Sequence, residues 1–68
     1  MTDEEELKKI IGNSGVLNLY YGGYEIEVTN YRNFKWKQVF KCLFKFSYNV
    51  FITEKNNNIC IIAKQSSN

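Results

Sequence analysis

Histidine and proline are absent from this 68-residue chain, and arginine and alanine occur once each, as Arg32 and Ala63. Without histidine, no side chain titrates near neutrality unperturbed, and the commonest acid–base group and metal ligand are both missing. The two cysteines, Cys42 and Cys60, are too few and too widely separated for a zinc site. They allow one disulfide at most. Each lies in an apolar run, where a buried free thiol is expected. Neither GNSG (12–15) nor YGGY (21–24) has the spacing of a phosphate-binding loop, and Ser14 sits in no nucleophile elbow. Glu25 and Glu27 share a strand face, but two carboxylates without further oxygen ligands hold a divalent cation poorly. No catalytic, cofactor-binding or metal-binding residue is expected, and no cofactor or small-molecule substrate is implied.

Long apolar runs are lacking too, so no segment is expected to span a bilayer. The acidic start MTDEEELKK has no apolar core of a secretory signal. A cytoplasmic protein with reduced thiols and no membrane partner is the expectation. Sixty-eight residues make one domain. A chain of that size buries only about 60% of its unfolded surface, so little core is to spare. What is abundant is Asn, Lys, Ile, Phe and Tyr. All five have AT-rich codons, which points to an AT-rich genome of the kind common in phages and other mobile elements.

Net charge is only +2, but it is unevenly spread. Residues 1–30 hold six acidic side chains against two lysines, and residues 31–68 hold seven basic side chains against Glu54. Such asymmetry is compatible with a nucleic-acid or acidic-protein partner.

The first element is a helix with marked ends. Thr2 and Glu5 form a capping box. Asp3 to Glu6 complement the positive end of the helix dipole, and Lys8 and Lys9 complement the negative end. Gly12 suits the position just past the helix. Leu7, Ile10 and Ile11 form one short apolar stripe. Residues 16–30 then read as a β-hairpin closed by Gly22-Gly23. That loop pairs Tyr21 with Tyr24, Leu19 with Ile26, and Leu17 with Val28 on one face. Tyr20 with Glu25, Asn18 with Glu27, and Val16 with Thr29 occupy the other, so the register sorts apolar from polar.

The stretch FKWKQVFKCLFKF (34–46) satisfies two periods. As a strand, Gln38, Val39 and Leu43 fall on the wrong faces. As a helix capped by Asn33, Trp36, Val39, Phe40, Leu43 and Phe44 share one side, and Lys37, Lys41 and Lys45 line the other. Helix is favoured, because the run is long for a strand. A second hairpin follows, turning at Asn56-Asn57, since asparagine tolerates positive φ. Ile52 then faces Ile61 and Val50 faces Ala63, while Phe51 faces Ile62 and Thr53 faces Cys60. Both faces of this hairpin are apolar. Residues 65–68 read as a frayed tail. The predicted fold is a small single α+β domain: a four-stranded antiparallel sheet with two helices, in the order α-β-β-α-β-β.

Two kinds of binding follow. The second hairpin cannot hide both faces under two helices, and spare apolar surface of that kind marks protein interfaces. Tyr20, Phe51, Ile61 and Ile62 are the candidate contacts, with Ile61 and Ile62 standing for the two alternative outward faces. The expected function is a non-catalytic protein-binding module, an inhibitor or adaptor of phage or mobile-element type, with a protein partner or a homodimer. The alternative is a small nucleic-acid-binding protein that grips phosphates through Arg32, Lys35, Lys37, Lys41 and Lys45.

Overall fold

A computed structural model describes residues 2–65. Six main elements follow in the order α1 (Asp3–Ile11), β1 (Gly15–Tyr20), β2 (Gly23–Val28), α2 (Trp36–Lys45), β3 (Tyr48–Lys55) and β4 (Asn58–Gln65), with a 3-10 turn at Gly12–Ser14. The four strands form one antiparallel sheet in the spatial order β1-β2-β4-β3. The predicted α+β architecture and element order are those observed. Both helices lie on one face of the sheet, over a core of Leu7, Ile26, Val39, Leu43 and Ile61. Gln65 belongs to β4; the rest of the expected tail lies outside the described residues.

The capping box forms as read. Thr2 Oγ1 accepts the Glu5 N–H at 3.2 Å, and Glu5 Oε1 accepts the Thr2 N–H at 3.1 Å. Gly12 ends α1 at φ 55. Asp3 does more than complement the dipole. Its carboxylate accepts hydrogen bonds from the hydroxyls of Tyr24 and Tyr48, so the start of α1 is tied to two strands. These bonds, the one from Tyr48 foremost, hold the Asp3 carboxyl below its usual 3.8. A depressed folded-state value means that the charged form stabilises the fold above the carboxylate range and that this contribution fades as pH falls through the folded value. Asp3→Asn is therefore expected to melt below the parent at neutral pH. The gap should narrow as pH drops below 3.8 in a series of thermal melts.

The first hairpin keeps its faces but not its register. Leu17 pairs with Ile26, Leu19 with Tyr24, and Tyr20 with Gly23, so the turn is Tyr21-Gly22 and not Gly22-Gly23. The turn needs one positive φ, supplied by Gly22 at φ 74. Gly23 is taken into β2 instead, where a Cβ would stand 1.8 Å from the Ala63 carbonyl oxygen of β4. A slip of two residues returns every side chain to its own face, and so apolar sorting alone does not detect it. The second hairpin has the predicted register throughout, with Asn56 and Asn57 both at positive φ.

Residues 36–45 are helical, but with two corrections. Asn33 is not the cap; its N–H turns back to the Asn30 carbonyl, and Lys35 stands at the helix start without a side-chain cap bond. Phe34 plugs the core ahead of the helix. The buried stripe is also rotated, to Val39, Cys42 and Leu43, leaving Phe44 63% exposed. Cys42 is small enough to sit under α1. Trp36, Phe40 and Phe44 stack along the opposite flank instead, with centroids 6.4 and 6.3 Å apart. The Trp36 indole N–H donates to the Tyr31 carbonyl, which fixes that flank at its base.

Candidate interaction surface

Neither helix covers the second face of the sheet. By strand alternation it carries Val16, Asn18 and Tyr20 from β1, Glu25 and Glu27 from β2, Cys60, Ile62 and Lys64 from β4, and Phe51, Thr53 and Lys55 from β3. An uncovered apolar strand would be exposed here. Cys60 is nonetheless fully buried, and Ile62 is only 8% exposed. Polar side chains on the flanking strands span β4 and close over it. Lys55, at the β3 end, reaches Glu25 on β2 at 2.8 Å, a diagonal that passes over Cys60. Asn58 donates to Glu27 at 2.9 Å. The aliphatic stems of such side chains cover apolar surface while their heads stay in water.

At the other end of this face, glycine shapes the surface. Tyr20, Gly23 and Lys64 form one row across three strands. With no side chain at Gly23, the Lys64 ammonium lies 5.6 Å from the Tyr20 ring centroid and 6.0 Å from that of Phe51. The two aromatic rings, with the Lys64 ammonium near both, flank a depression of about 410 Å³ whose floor is Ile62 and Cys60. It combines two aromatic rings, a charged rim of Glu25, Glu54, Lys55 and Lys64, and a small apolar floor.

Of the four interface candidates, Tyr20, Phe51 and Ile62 come together here. Ile61 does not. It points to the helices and is fully buried among Ile26 and Leu43, so the outward register is the one that carries Ile62. Lys64 and the Lys55–Glu25 strap went unrecognised in the sequence. Hairpin registers alone held no signal for them, because only the placement of β4 between β2 and β3 sets Lys64 beside Gly23.

The lysines of the second helix do not form one free stripe. Lys45 donates to both carboxylate oxygens of Glu6, at 3.1 and 2.9 Å, and lies over the Phe46 ring. Arg32 lies over the Tyr31 ring in the loop before α2, Lys35 stands at the helix start, and Lys37 and Lys41 face solvent.

Both cysteines are buried free thiols. Burial, with the Glu6 carboxylate beside it, pushes the Cys42 thiol up to about 11. Burial also raises Cys60, with Glu25 adding to the effect. Both shifts favour the protonated thiol over the thiolate, the nucleophilic form. Among the described residues, no three His, Cys, Asp or Glu side chains converge as metal ligands would. Among the same residues, no helix is long and apolar enough to cross a membrane. No known protein family, curated protein or solved structure gives a significant match to this chain.

Proposed function

We propose that this chain is a non-catalytic protein-binding module that acts by stoichiometric contact, as an inhibitor or adaptor in a phage or other mobile element, inside the cytoplasm. The observation that carries this reading is the Tyr20–Lys64–Phe51 cluster around Ile62 on the uncovered sheet face. Aromatic residues beside an apolar floor are what central interface anchors are made of. A cytoplasmic setting agrees with two thiols that are buried and unpaired.

The test is affinity capture from the source cell with the parent chain and with Tyr20→Ala and Phe51→Ala. Each truncation is expected to weaken the captured complex by about 1–3 kcal/mol, roughly 5- to 150-fold in Kd. Capture unchanged in both variants would rule this face out. The nucleic-acid reading comes second. It rests on Arg32, Lys35, Lys37 and Lys41, since Glu6 already engages Lys45. A salt-sensitive gel shift, lost in the Lys37→Glu/Lys41→Glu double variant, would put it first.

A further inference from the structure

We infer that the open edge of β3 joins a second copy of this chain in a two-fold dimer, with the two sheets continuous across the seam. Edge strands in folded proteins are ordinarily blunted by proline, a bulge, a central charge or shortness. β3 has none of these. It pairs with β4 over eight consecutive residues without a bulge, and its only charges, Glu54 and Lys55, stand at the turn. Its centre is Val50-Phe51-Ile52, with Phe51 54% and Ile52 58% exposed on opposite faces. The other edge, β1, is six residues long and has glycine at its start and asparagine near its centre.

The hairpin turn says which backbone groups are free. In a two-residue hairpin the flanking residues, here Lys55 and Asn58, form a hydrogen-bonded pair. Bonded pairs alternate with non-bonded ones along the ladder. The N–H and C=O groups of Phe51 and Thr53 therefore point to β4, and those of Val50, Ile52 and Glu54 point to the open edge. A two-fold pairing centred on Phe51 sets Val50 against the partner's Ile52 and Tyr48 against the partner's Glu54, and all of these residues carry outward groups. Apolar meets apolar, asparagine meets threonine, and no like charges face each other. Centring on Ile52 instead would set Val50 against the partner's Glu54 and use fewer of the free groups.

The two-fold axis perpendicular to the sheet puts all helices of the dimer on one side. α2 packs over β3, and its inner flank faces α1 through Lys45 and Cys42. The flank turned away from α1 is the Trp36–Phe40–Phe44 stack. That stack faces its counterpart across the seam, so the same union that pairs the edges covers the exposed Phe44. The uncovered face keeps its Tyr20 anchors, now present twice. Phe51, an anchor of the binding reading above, lies on the two-fold axis against its own counterpart, so Tyr20→Ala is the variant that separates the two: it leaves the mass unchanged whether or not it loses a captured partner.

Light scattering of the parent chain from micromolar to millimolar concentration is expected to approach twice 8.0 kDa. Ile52→Pro removes an outward N–H and a half-exposed side chain but no backbone bond to β4, so it should keep the sheet yet stay monomeric, with Kd raised about a hundredfold or more. Ile52→Lys, a side-chain change at an exposed edge position, should do the same and serves if the proline variant does not fold. Phe44→Lys should weaken the dimer without dissolving the sheet. A parent that keeps the mass of one chain at millimolar concentration, a dimer that survives Ile52→Lys, or assemblies that grow beyond two copies would each overturn the proposal, the last because it signals head-to-tail pairing of β3 with β1.

Discussion

Gly23→Ala is expected to unfold the chain or leave it barely folded at room temperature. The added methyl would stand 1.8 Å from the Ala63 carbonyl oxygen and 2.8 Å from its carbon. Both are backbone atoms of a strand paired on its two sides, so neither can swing away as a side chain would. Overpacking of even side-chain cores costs about 1–3 kcal/mol, and a backbone collision lies at or above the top of that range. A 68-residue chain has on the order of 3–10 kcal/mol of total stability. Gly22→Ala gives the contrast. Nothing lies within 4 Å of a Cβ there, and only the positive φ of 74 resists the change. That costs about 1–2 kcal/mol. Far-ultraviolet melts of the two variants should separate them widely. If Gly22-Gly23 were the turn, the two glycines would be similarly tolerant, and equal melting temperatures would contradict the observed register.

Ile61→Asp is expected to be as damaging, for a different reason. Ile61 is fully buried, paired with Ile26 on one side and Ile52 on the other, beneath the helices. Among the described residues no cation lies within the core to meet a carboxylate, so the group either ionises at a cost of several kcal/mol or takes up a proton and still loses its packing. Ile62→Asp, one residue along, opens onto the other face. It forfeits about 1.5–3 kcal/mol of side-chain burial and stands opposite Glu25, but its carboxylate emerges on the face that carries Lys64, at the edge of water. Chemical denaturation should rank Ile61→Asp well below Ile62→Asp. The reverse order would mean that the helices cover the opposite face of the second hairpin.

That pair of variants also shows where local reading ends. Phe51, Ile52, Ile61 and Ile62 are all apolar, and a hairpin apolar on both sides has no local preference for which side turns inward. The Asn56-Asn57 turn and its register are decided within a few residues, by asparagine's tolerance of positive φ and by strand alternation. The same holds for α1, whose capping box closes over four residues, and for α2, whose run of apolar positions fits the helical period better than the strand period. These elements depend on neighbours in the chain, so the sequence by itself determined them, and with them the α-β-β-α-β-β order.

Tertiary structure decided the rest, because each remaining feature depends on residues distant in the chain. Gly23 belongs to the strand and not the turn because β4 approaches it closely, and β4 lies forty residues further on. The buried stripe of α2 rotates from Phe44 to Cys42 because α1 presses on that side and brings Glu6 against Lys45. Asp3, read as a simple dipole partner, becomes the meeting point of Tyr24 and Tyr48 only when β2 and β3 share a sheet. The Tyr20–Lys64–Phe51 cluster and the Lys55–Glu25 strap exist because β4 is inserted between β2 and β3. Strand alternation sorts side chains between two faces, but only the strand order makes them neighbours.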